Sequence, residues 1–121
     1  MILTPMVIAD SPCSIPDKEV TVAQAATVGY PDSARDLGLG PVVVYVQVTV
    51  NPDGSLTHAV ISRSSNNSAI DQAALRAVRQ SLYSPRIVNC NAIETSQTLA
   101  VYLNPYRFGD PSRIVPIPPN R

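Results

Sequence analysis

The 121-residue sequence contains no tryptophan, one phenylalanine and one histidine. So few rings leave no series of platforms on which bases could stack and no aromatic belt for a membrane interface. Nine basic residues balance nine acidic ones, and they gather into no stripe or arm. Nothing electrostatic therefore argues for nucleic acid. Residues Met1 to Asp10 carry no Lys or Arg and only a short apolar run, so as they stand they are neither a signal peptide nor a membrane span. The start reads as that of a chain trimmed from, or cut out of, a longer precursor. Cysteine is equally sparse. Cys13 and Cys90 lie far apart, without metal-ligand spacing, and one His is available to assist them. Two readings stand: a reactive or metal-binding thiol, or a disulfide. A disulfide would close a long loop, contribute roughly 4 kcal/mol by the chain-entropy model, and imply an oxidising compartment.

What the sequence does have is one strongly patterned stretch. The apolar fraction of 45% and the length fit one globular domain. Its organising segment is 41–54, where Val42, Val44, Val46, Val48 and Val50 share one parity and Val43, Tyr45, Gln47 and Thr49 the other. Alternate strand side chains point to opposite faces, so this is a strand with one wholly apolar face. Asn51-Pro52-Asp53-Gly54 then supplies a preset φ and a positive-φ residue, which predicts a hairpin.

Around this strand the remaining elements fall into place. Pro5, Pro12 and Pro16 predict an extended lead-in, and Lys18 to Ala26 a short strand or a turn of helix. Tyr30 to Gly38 reads as a short helix, with Pro31 at its first position, Ala34 and Leu37 toward the sheet, and Gly38 at the exit. Residues 55–63 return as a strand whose inward set Leu56, Ala59 and Ile61 breaks parity, which predicts a bulge. Ser68 with Asp71 resembles a capping box, and the helix it opens runs to about Tyr83, with Ile70, Ala73, Ala74, Ala77 and Ser81 in one stripe. Residues 87–93 cross back. Thr95 to Leu103 alternate again, with Leu99, Val101 and Leu103 on one face. The Pro-rich tail past Asn104 reads as extended or disordered. The fold class expected is α+β, two helices packed on the Val42 face of a three-stranded antiparallel sheet.

Little here supports catalysis. The one candidate base, His58, sits on the returning strand, where a satisfied or exposed histidine is the simpler reading. Ser64 and Ser65 precede a helix and read as loop and cap. Asp32 and Asp36 flank Arg35 on a short exposed helix, and Asn66-Asn67-Ser68 fits a glycosylation acceptor, a signal that matches often by chance. Gly38-Leu39-Gly40 lies between a helix and a strand, the reverse of a dinucleotide loop. No catalytic residue, cofactor or metal is expected. What remains is a sheet edge, either open to a further strand or covered by the lead-in or the tail.

The run Tyr30-Pro31, Ala34, Gly38, Gly40, the valine strand to Asp53-Gly54, then Ser64-Ser65, Asp71, Ala73-Ala74, Ala77 and Tyr83-Ser84-Pro85 resembles the TonB C-terminal domain family. The resemblance covers about residues 28–104, leaving 1–27 as a lead-in with Cys13 and 105–121 as a Pro-rich tail. Cys13 and Asn89-Cys90 are similar to a disulfide-bearing branch of such domains. The resemblance implies a non-enzymatic periplasmic or secreted module. Such a module captures an extended peptide of an outer-membrane receptor, or of another envelope protein, by strand addition. The receiving edge would be Ser96, Gln97, Thr98, Leu99, Ala100, Val101, Tyr102 and Leu103, with Tyr30 and Pro31 starting the first helix and further contacts at Thr27, Val28 and Gly29. The family's transducers carry a membrane helix and a Pro-rich spacer ahead of the domain, so this sequence reads as the binding end alone. The alternative is a structural or oligomerising domain whose open edge pairs with its own copy.

Overall fold

The structure is a computed structural model that describes residues 13–117. Pro5 and Pro12 of the expected lead-in and Pro118 and Pro119 of the tail lie outside these residues. The element order is β1 (Thr21–Gln24), α1 (Asp32–Arg35), β2 (Val42–Val50), β3 (Leu56–Arg63), α2 (Ser68–Gln80), β4 (Leu82–Ser84), β5 (Arg86–Val88), β6 (Asn91–Ile93), β7 (Thr95–Leu103) and β8 (Arg113–Ile117).

The main sheet is antiparallel and has four strands in the order β3-β2-β7-β8. The expectation of three is corrected by β8. Arg113–Ile117 of the Pro-rich tail folds back along β7, because Ile114 supplies one more apolar side chain to the core face opposite Val101. Two small ribbons, β1–β4 and β5–β6, flank it. The valine parity is realised: Val44, Val46, Val48 and Val50 are buried, while Val43, Tyr45, Gln47 and Thr49 on the other face are not. Leu99, Val101, Leu103 and Ile114 continue that buried face, and Ile70, Ala73, Ala74, Ala77 and Val78 of α2 close over it. The small alanines let the helix axis approach the sheet closely. The predicted bulge lies at Thr57: Thr49 pairs with His58, and Val50 with Leu56.

Three local expectations differ. Helix α1 is a single turn ending at Arg35, so Ala34 is buried but Leu37, beyond the helix, is 60% exposed. Helix α2 is capped by Asn67, whose side chain accepts from the Ile70 N–H at 3.1 Å, and not by Ser68. Asp71 instead reaches back to the Ser65 N–H (2.9 Å) and to the Ser64 and Ser65 hydroxyls. Burial pushes its carboxyl up, but these hydrogen bonds outweigh that and hold it below the ordinary range. The helix also stops at Gln80. Tyr83 pairs with Val22 in the β1–β4 ribbon, and its hydroxyl donates to the Val78 carbonyl at 2.7 Å, closing the helix end.

The cysteines are joined: Cys13 and Cys90 form a disulfide with Cα atoms 5.7 Å apart. It fastens the lead-in where Asn89 and Cys90, both at positive φ, make the β5–β6 turn. From there the lead-in runs antiparallel to 82–90 through the Lys18–Ile87 bridge and then β1.

Candidate peptide-binding edge

Strand β7 carries the residues expected to receive a peptide, Ser96 to Leu103. On one side it is paired along its whole length with β2, from Val42 opposite Leu103 to Val50 opposite Thr95. On the other side β8 pairs with its middle, with Thr98 opposite Ile117, Leu99 opposite Pro116, Ala100 opposite Val115, Val101 opposite Ile114 and Tyr102 opposite Arg113. Thr98 to Tyr102 therefore already hold an extended segment of the same chain. Proline has no N–H to give, so Pro116 is tolerated on this outermost strand with its nitrogen turned outward. By the alternation of an antiparallel ladder, the N–H of Val115 then faces β7.

Three contacts fix β8 beyond its backbone. Ile114 is 7% exposed and enters the core beside Val101. On the other face, the Arg113 guanidinium lies 4.4 Å from the centroid of the Tyr102 ring, a cation–π contact. The buried Gln97 side chain donates from Nε2 to the Ile117 carbonyl, holding the far end of the strand.

The loop that brings β8 back is organised by Asn104. Its Nδ2 donates to the carbonyls of Phe108 (3.0 Å) and Asp110 (2.7 Å), and its Oδ1 accepts from the Tyr106 N–H (2.9 Å). The loop displays Tyr106 and Phe108 stacked at 5.2 Å, with Phe108 74% exposed. A cleft of about 450 Å³ opens between this pair, Val43 and Tyr102. Tyr30, just ahead of Pro31, is buried and donates its hydroxyl to the Gly40 carbonyl at 2.9 Å, bracing the entry to β2. Of the residues ahead of Tyr30, Val28 is buried in the core, while Thr27 and Gly29 are not.

A second cleft, about 680 Å³, lies at the other end of the sheet beside the start of β3, lined among others by His58, Arg79 and Tyr83. His58 is exposed there, while the hydroxyls of Ser64 and Ser65 both bond to Asp71. Among the described residues no three His, Cys, Asp or Glu side chains gather as a metal site. No helix among them is long and apolar enough to cross a membrane.

The family model described as Gram-negative bacterial TonB protein C-terminal matches residues 26–105. The chain belongs to that family. Among curated proteins, none matches it. The TonB-family match includes α1, α2, β2, β3 and β7 and ends at 105, ahead of β8, so the strand lying on β7 falls outside the matched span. The TonB resemblance drew attention to β7 but not to Arg113 or Ile114. The signal that could have revealed them is the alternation Arg113-Ile114-Val115-Pro116-Ile117, in which a proline within a β-branched run marks an edge strand.

Proposed function

We propose that this TonB-family domain is a non-enzymatic, periplasmic or secreted protein-binding module. It takes an extended peptide of an outer-membrane receptor, or of another envelope protein, as an added strand along Ser96 to Leu103 of β7. One observation carries the reading: an extended segment, β8, lies against this edge and pairs with five of its residues. The backbone of β7 is therefore shaped for strand addition, the mode in which main-chain hydrogen bonds give affinity and side-chain pockets give specificity. The disulfide supports the compartment, since such bonds persist where the surroundings oxidise.

The test is an amide NMR titration of the labelled chain with short receptor-derived peptides. Shifts gathered along Ser96 to Leu103, together with faster hydrogen exchange in Arg113 to Ile117, are expected as peptide replaces β8. Silence on β7 at millimolar peptide, with the fold intact, would defeat the reading.

The same observation favours a second one, a structural or oligomerising domain that keeps the β7 edge filled. Self-association would then use β3, the strand at the opposite margin of the sheet. Sizing separates the two: a dimer or larger species supports the second reading, and a monomer the first.

A further inference from the structure

We infer, resting on the strand-addition reading, that β8 is a built-in stand-in for the partner and that its contacts spell out the partner's side chains. The peptide recognised runs antiparallel to β7. It carries a basic residue opposite Tyr102 and, directly after it, a β-branched aliphatic residue opposite Val101.

Each position is set by the groups that β8 meets. Opposite Tyr102 stands Arg113, its guanidinium over the ring at 4.4 Å. An acidic residue in that place would meet the negative face of the ring. Opposite Val101 stands Ile114, and the two share the core face, where Ile114 is 7% exposed. A polar side chain there would be buried without a partner. The next position, held by Val115, is half-buried opposite the fully buried Ala100, so an apolar side chain suits it. Opposite Thr98, the chain carbonyl of the incoming strand receives the Gln97 amide, as the Ile117 carbonyl does now. That contact reads backbone and fixes register without demanding a side chain. Tyr102 and Gln97 are thus the specificity and register residues of the edge. Because β8 is tethered by only nine residues, 104–112, its local concentration is high, on the order of millimolar. A partner therefore competes with it.

The experiment uses the full chain with Val115→Pro, which removes an N–H facing β7 and loosens β8 without touching the core side chain. Three capped peptides are titrated by NMR: Ser-Arg-Ile-Val-Pro-Ile, the order found at 112–117, and two versions with Glu for the Arg or Ser for the Ile. The first is expected to shift the β7 amides at least about tenfold more tightly than in the unsubstituted chain. The Glu version should bind about fivefold more weakly, a difference that Tyr102→Leu erases. The Ser version should bind at least about tenfold more weakly. If all three add to β7 with equal affinity, the side-chain code is wrong while strand addition stands. If none adds to folded Val115→Pro, strand addition itself is wrong. Should Val115→Pro not fold, Arg113→Glu weakens β8 at a partly exposed position, and the same peptides are ranked on it with the same outcomes.

Discussion

Gly38 and Gly54 form a matched pair for measuring what a close backbone approach contributes. Both are at positive φ, +66° and +88°. The space around Gly38 is open, whereas a Cβ built on Gly54 would fall inside contact distance of the Tyr83 carbonyl oxygen. Alanine at either site incurs the left-handed penalty of about 1–2 kcal/mol. At Gly54 neither neighbour can yield cheaply. The turn is held by Gly54 N–H to Asn51 O and Asn51 N–H to Ser55 O, both 2.8 Å, and Tyr83 by its pairing with Val22 and its hydroxyl on Val78. Overpacking of this kind adds about 1–3 kcal/mol. Gly38→Ala should therefore lose about 1–2 kcal/mol and Gly54→Ala about 2–5. Urea denaturation with unchanged m-values reads both. Losses agreeing within about 0.5 kcal/mol would mean that the hairpin tip does not press on β4, and the reasoning about Gly54 would be refuted.

Two further outcomes are expected. Replacing both Cys13 and Cys90 by alanine removes a crosslink of sequence separation 77, which the chain-entropy model values at about 4.5 kcal/mol. Paired denaturation curves of the two forms measure it, and a loss under about 1 kcal/mol would show that the lead-in frays independently of the core. The second concerns acid. Asp71 is depressed in the folded state, so its stabilisation is present above the unfolded value near 3.9 and is lost as pH falls below that, through the lower folded value. Asp71→Asn should be less stable than the parent at pH 6, with the gap narrowing as pH drops below about 4. A gap independent of pH would contradict the carboxylate's role on Ser64 and Ser65.

The strongly periodic parts of this fold were legible in its residues. Five valines on one parity, the Asn51 to Gly54 turn and the alanine stripe of α2 each state one local preference that the tertiary packing also favours. Even the bulge at Thr57 was visible as a break in parity. The hidden parts were decided by tertiary contact. Ser68 and Asp71 have capping-box chemistry, but Asn67 lies one residue earlier in extended backbone and takes the cap. Leu37 has the spacing of a buried residue on a helix that ends before reaching it. Tyr83 leaves the helix because β1 offers it a strand partner. For the candidate site, β7 was readable from its alternation, whereas its neighbour was not. Arg113 to Ile117 is short, contains Pro116, and holds its place through one isoleucine that finds room in the core.

The bond between Cys13 and Cys90 also decides how this domain responds to being stretched. Tension applied ahead of residue 13 and beyond residue 90 crosses at the two sulfurs and continues through β6 into β7. Residues 14–89, with both helices and the β2–β3 hairpin, form a closed loop off the loaded path. About 260 Å of chain, at roughly 3.4 Å per residue, cannot be released while that bond holds. Extension is confined to the chain beyond Cys90, so the elements that could yield under end-to-end load are the pairings of β6, β7 and β8.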